Sequence, residues 1–243
     1  MIVSISTGSI RHAASSVLES VHFVEENFSG LVNGVELFFW NMGDFESFEL
    51  DDRATEFLQS LEFNTLHAPI KEIEYGENQA TARVLEKIER MGKAVNIERV
   101  VFHPNHVKDF TIVANTGLRA CVENLPDGEL KKGWQYPKEF QEFFKKWPQL
   151  GFCFDVNHGI ANGIKPTEFI SLLSKKIEYI HLNATAKAGS AEHELLVESS
   201  EKTIEEIMPV FKLQKPMVIE VDIEKQKIPL IKKEIEFIRQ ATL

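Results

Sequence analysis

The stretch GFCFDVNHGIANG, residues 151–163, decides how the rest of the chain is read. Gly151–Asp155 is an apolar run of strand length that stops at an aspartate, and His158 follows three residues later. A run that is apolar throughout, rather than alternating, is what a parallel strand covered on both faces requires. The same design recurs in both directions, as TLHAP at 65–69, VFHP at 101–104, CVENLP at 121–126, YIHLN at 179–183 and VIEVD at 218–222. Each run ends in an imidazole or a carboxylate: His67, His103, Glu123, Asp155, His181 and Glu220.

These runs place strands at Thr65–His67, Arg99–His103, Ala120–Glu123, Gly151–Asp155, Tyr179–Leu182 and Met217–Val221, with two earlier ones at Ile2–Thr7 and Val35–Phe39. Amphipathic stretches lie between them. Glu77–Val95 repeats Ala80, Val84, Ile88 and Met91 at helical spacing, and Pro137–Trp147 repeats Phe140, Phe143 and Phe144. Ser199–Lys212, Lys225–Gln240 and the shorter Pro166–Ser174 follow the same rhythm, whereas KDFTIVANTG after His103 is a brief helix or a plain connection. Eight strand-then-helix units account for the 243 residues, and no linker composition marks a boundary, so one domain over 1–243 is expected.

Two architectures share this alternation, an open doubly wound sheet and a closed (β/α)8 barrel. The turn STGSIR after the first strand has neither dinucleotide nor P-loop glycine spacing. Strand ends around a ring converge on one point, and six such side chains on an open sheet would not meet. The expected fold is therefore α/β, a single (β/α)8 TIM barrel with the polar residues at the C-terminal ends of its strands.

Each of these residues has an ordinary reading by itself: a hydrogen-bonded core histidine, a salt-bridged glutamate, or, for Asp155, a cap on the next turn. Buried together they repel, and one divalent cation removes the repulsion. The mixture of imidazole and carboxylate suits zinc or manganese, with iron and cobalt also compatible. His158 reads as a further ligand or a substrate contact, and His193, in the small-residue loop ATAKAGSAEHE, as part of a segment over the site. Glu36 in GVEL is either structural or substrate-facing. Phe38, Phe39 and Trp40 read as the lining of a pocket mouth or, more often for such aromatics, as core, while His12, His22 and His106 carry no such context.

Composition narrows the class. Lys and Arg number 27 against 37 Asp and Glu, a formal charge of −10 that argues against holding nucleic acid by a basic surface. Two cysteines, Cys121 and Cys153, make no disulfide framework and point to a reducing compartment. The N-terminal residues lack a signal-peptide pattern and no apolar run has the length of a membrane span, so a cytoplasmic protein without membrane partners is expected.

At these residues the sequence resembles the xylose isomerase-like barrel superfamily, which holds sugar isomerases, epimerases and the endonuclease IV group. GVEL, HAP, FHP, VEN, GFCFDVNHGIANG, IHLN and VIEVD stand in that family's order across most of the chain. The resemblance implies a metal held by Glu123, Asp155, His181 and Glu220. Its endonuclease IV branch implies a second metal on His67 and His103, and a third on His158 and an Asp-x-His pair containing His193. This chain departs from that branch. The pair reads Ala191-Glu192-His193, Ile70 replaces the tyrosine after HAP, Ala184 replaces the aspartate of IHLND, and no basic DNA-gripping loop is evident.

The leading expectation from the resemblance is a divalent-metal-dependent isomerase or epimerase of a small sugar, sugar phosphate or polyol, with one or two ions. Glu123 and Glu220 would serve as acid–base partners on opposite sides of one carbon, and His158 would orient a hydroxyl. Efficient abasic-site cleavage is not expected. The alternative is an endonuclease IV-like phosphodiesterase acting at abasic sites in DNA, and a third reading is a non-enzymatic barrel that keeps its metal site.

Overall fold

The computed structural model describes residues 1–127, 133–184, 193–222 and 224–242. Eight parallel strands form a closed barrel in sequence order: β1 Val3–Ser6, β2 Gly34–Phe38, β3 Asn64–His67, β4 Ile97–Phe102, β5 Ala120–Glu123, β6 Gly151–Asp155, β7 Ile177–Leu182 and β8 Met217–Ile219. Closure is made by β8 against β1, in the register Val3↔Met217, Ser4↔Val218 and Ile5↔Ile219. No sheet edge is left among the described residues, which excludes the open doubly wound alternative.

The helices are α1 Val17–Phe28, α2 Met42–Ser47, α3 Asp52–Gln59, α4 Gln79–Val95, α5 Phe110–Ala114, α6 Pro137–Lys146, α7 Val156–Ala161, α8 Pro166–Leu173, α9 Glu201–Phe211 and α10 Leu230–Ala241. KDFTIVANTG thus contains a five-residue helix, started by Asp109, whose carboxylate accepts the Thr111 amide. Lys225–Gln240 is corrected at its start. Pro229 caps α10, and Lys225–Lys227 form a separate 3-10 turn. Among the described residues, no helix is long and apolar enough to cross a membrane.

Period-two alternation divides each strand between two cores. On β6, Phe152 and Phe154 face outward and stack with Phe140 of α6 and Phe169 of α8, at ring-centroid distances of 4.7 Å for Phe140–Phe152 and Phe154–Phe169. Inside the barrel, Phe63, Val101, Cys121, Cys153, Tyr179 and Val218 pack into an apolar layer of their own. Two residues further along five of these strands stand His103, Glu123, Asp155, His181 and Glu220. The apolar layer is therefore the floor, and the donors stand one pleat above it at the C-terminal mouth. Burial raises the Cys121 thiol to about 12 and Cys153 well above its ordinary value, which makes both inert floor residues. Gly34 opens β2 where a Cβ would lie 1.7 Å from the Phe63 carbonyl oxygen, so no larger residue fits that strand approach.

Candidate metal centre

His67 and Glu123 end β3 and β5, Asp155 ends β6, and His181 lies within β7. His103 and Glu220 lie one residue beyond the ends of β4 and β8, and His158 sits in α7. Of the eight candidate ligands, His67, His103, Glu123, Asp155, His158 and His181 are buried, and Glu220 and His193 are partly exposed. Their donor atoms form three overlapping groups, in each of which all atoms lie within 4.8 Å of one another: His67, His103 and Glu123; Glu123, Asp155, His181 and Glu220; and Asp155, His158 and His193.

Glu123 joins the first two groups, one oxygen to each. Its Oε1 lies 3.3 Å from His181 Nδ1, while its Oε2 lies 3.5 Å from His67 Nε2 and 3.4 Å from His103 Nε2. His181 Nδ1 is also 2.7 Å from Glu220 Oε2. Asp155 joins the second and third groups. It caps α7 by accepting the His158 amide at 2.7 Å, and it accepts from Asn183 Nδ2 at 3.1 Å. The capping role and the site role expected of Asp155 thus coexist in one carboxylate.

Three imidazoles have their inner nitrogen set by what the outer one touches. His67 Nδ1 lies 3.0 Å from the Ala68 carbonyl and His158 Nδ1 2.8 Å from the Asn124 carbonyl, so each donates there and presents Nε2 inward. His181 is reversed: Nε2 lies 3.0 Å from Glu36 Oε2, which leaves Nδ1 to face Glu123 and Glu220. Glu36 is fully buried and also accepts from Thr65 Oγ1, so it supports His181 from beneath and faces no substrate. Carboxylate or carbonyl behind histidine is the arrangement that orients histidine ligands in metal sites.

The chemistry of this donor set fits a divalent cation. Glu123 Oε2 and Glu220 Oε2 are buried beside imidazole nitrogens but in no aligned hydrogen bond, and His103 Nδ1 has no hydrogen-bond partner. His158 Nε2 and His193 Nε2 face each other at 3.2 Å, close to the roughly 3.3 Å spacing of two nitrogens on one tetrahedral zinc. Burial works to raise Glu123, but His181, His103 and His67 hold it well below the usual carboxylate range; Glu220 falls to about 2, mainly through His181 against the same burial. Burial works to lower His181, and Cys153, Glu220, Glu36 and Glu123 together outweigh it and raise it well above its ordinary value. Glu123 and Glu220 are thus held ionised among imidazoles.

A cavity of about 640 Å³ opens onto these groups, lined at its rim by Arg11, Phe38, Trp40, Ile70, Glu194 and Asp222. Phe38 and Trp40 belong to this rim, which selects the pocket-mouth reading over the core one for both. Phe39 alone is core, edge-on to Phe45 and Phe48. Alternation explains the difference, since Phe38 shares the inward phase of Glu36 on β2. Arg11 and Asp222, paired with each other, and the supporting Asn124 and Asn183 were not singled out from sequence. The two asparagines stand inside the VEN and HLN motifs, which was the available signal. His12 pairs with Asp222 at the rim of this cavity, and His22 pairs with Asp51. Ala191 and Glu192 lie outside the described residues.

No protein-family model and no curated protein matches the sequence. Solved structures share its fold. A D-tagatose 3-epimerase-like protein is 16% identical over 100% of both chains, with a TM-score of 0.69. Endonuclease IV from Thermus thermophilus is 16% identical over 99% of this chain and 98% of its own, with a TM-score of 0.69. A xylose isomerase domain protein from Alicyclobacillus acidocaldarius is 14% identical over 100% of this chain and 99% of its own, with a TM-score of 0.68. The chain has the fold of xylose isomerase-like TIM barrels.

Proposed function

We propose that this protein is a divalent-metal-dependent hydrolase of phosphate esters that uses at least two adjacent cations. One observation carries the reading: the two oxygens of Glu123 face two different donor groups. A carboxylate so placed would supply one oxygen to each of two ions, leaving neither to take a proton from a substrate carbon. His67 and His103 would complete one site, and Asp155, His181 and Glu220 the other. His158 and His193, sharing Asp155, form a third and poorer group. Adjacent cations, when bound, activate a water and stabilise both the attacking and the leaving oxygen of a phosphoryl displacement. In that hydrolysis a water oxygen bonds to phosphorus and loses a proton, the ester P–O bond breaks, and the leaving oxygen takes a proton. The endonuclease IV structural neighbour is consistent with this chemistry, and abasic-site DNA is one substrate to test. The charge of −10 favours esters smaller than a duplex.

The isomerase or epimerase reading has its own support. Glu123 Oε1 and Glu220 Oε2 flank His181 Nδ1 at 3.3 and 2.7 Å, a pair placed to face one small substrate beside a single ion. Elemental analysis and three assays separate the readings: bis(4-nitrophenyl) phosphate, abasic duplex DNA, and a sugar and sugar-phosphate panel in deuterated water. Two or more zinc or manganese ions per chain with ester hydrolysis are expected. One ion per chain with deuterium entering a sugar, and no hydrolysis, would overturn the proposal.

Glu36 gives a subtler check. Glu36→Gln keeps an oxygen for His181 but removes the charge behind it, so metal affinity should fall roughly tenfold, the low end of what such supporting groups contribute. Competition with a chromogenic chelator measures it, and equal affinities would remove Glu36 from the centre.

A further inference from the structure

A second cavity, of about 250 Å³, adjoins the first, and Gly8, Arg11, Phe38 and Trp40 line both. It is smaller than the ~300–1,000 Å³ of whole-ligand pockets, so it suits one part of a molecule whose remainder lies elsewhere. An aromatic path leads to it from the donor groups. The Phe38 ring is 4.8 Å from that of His67 and 6.1 Å from that of Trp40. Trp40 is 41% exposed, an exposure that only Tyr136 exceeds among the described aromatics, and Lys71 Nζ lies 4.4 Å from its ring centroid.

The hydroxyls of the second cavity are partly engaged, and Arg11 and the exposed Asp44 complete its polar lining. Thr7 Oγ1 accepts the Phe38 amide, Ser15 Oγ donates to Glu19, Ser16 Oγ accepts the Glu19 amide and Ser20 Oγ donates to the Ser16 carbonyl. Its apolar lining is the aromatic surface of Phe38 and Trp40, with Ala14 and Val17. The Thr7 and Ser16 hydroxyls keep a proton to donate, and the Phe38 and Trp40 rings offer a face on which a flat ring can stack. Arg11 stands on the partition, where a phosphate joining the two halves would cross.

We infer that the second cavity is the subsite for the half of the substrate beyond the phosphate, and that this half carries a heteroaromatic ring, which makes the substrate a nucleotide-type phosphoester. The inference rests on the phosphate-ester reading and narrows it. Base–aromatic stacking accepts any base, because each has a π face, and removing the aromatic partner costs on the order of tenfold or more in affinity.

The test is calorimetric titration of the zinc-loaded protein with adenosine 5′-monophosphate, ribose 5-phosphate and inorganic phosphate, in wild type and Trp40→Leu. The exposure of Trp40 makes this substitution harmless to folding, which circular dichroism checks. The nucleotide is expected to bind about tenfold more tightly than ribose 5-phosphate in wild type. That advantage should vanish in Trp40→Leu, with inorganic phosphate bound equally by both. Equal affinity for nucleotide and sugar phosphate in wild type overturns the inference. An advantage that survives Trp40→Leu overturns it too, as does no nucleotide binding at millimolar concentration. A ring preference without ester hydrolysis would keep the subsite and sink the hydrolase reading. Hydrolysis without a ring preference would do the reverse.

Discussion

Glu123→Ala is expected to abolish stable occupancy of both principal metal sites, the largest effect foreseen for any single substitution here. Glu123 turns one oxygen toward each of two donor groups, so its loss removes a ligand from each. Supporting groups behind ligands already contribute roughly 10–100-fold to metal affinity. A shared ligand should therefore contribute more than about 100-fold at each site. Elemental analysis after exhaustive dialysis should find about two fewer ions per chain than in wild type. A second measurement follows from linkage. Metal that binds only the folded state stabilises it by about 4 kcal/mol at a thousandfold excess over Kd, and the variant should lose most of that gain. Asp155→Ala, which removes a ligand from the second and third groups, should leave the His67–His103–Glu123 group able to bind. Unchanged metal content in Glu123→Ala would rule out a bridged centre.

Glu234→Gln is expected to change how stability depends on pH, by roughly 3 kcal/mol. Glu234 of α10 is fully buried and accepts the amides of Leu196 and Val197, at 3.0 Å each. These amides belong to the turn just beyond His193. Burial raises its pKa to about 7 from an ordinary 4.5; the Val197 and Leu196 amides pull it down, and Glu198 adds to the rise. The folded protein thus binds this proton more tightly than the unfolded chain does. The sign follows: the stabilising contribution is complete below about pH 4.5 and is lost as pH rises through 7. A shift of that size corresponds to roughly 3 kcal/mol. Denaturant unfolding of wild type and Glu234→Gln, both with chelator, should give curves whose difference falls by that amount between about pH 4.5 and 8. Parallel stability curves would exclude a tightly held proton on Glu234.

Much of the barrel was legible because strand runs, helical rhythm and capping residues are local. Ala120–Glu123 and Gly151–Asp155 are strands at the positions their apolar runs give. Val35–Phe39 and Met217–Val221 shift at their ends, because β2 begins at Gly34 and β8 stops at Ile219, where pairing with its neighbours ends. An unused signal also lay in the strands: an apolar residue followed two positions later by a donor, as in Cys121 and Glu123 or Cys153 and Asp155. That spacing places both inward on one strand, as floor and site.

The sequence by itself determined the eight units, their order and the donor that closes most of the strands, since these depend on residues next to one another in the chain. Only the tertiary structure decided how the donors divide among sites, that Glu36 stands behind His181 from 145 positions away, and that Phe38 and Trp40 separate two cavities. Ring closure and barrel stagger set which strand ends meet and at what height. No local pattern of residues encodes those distances.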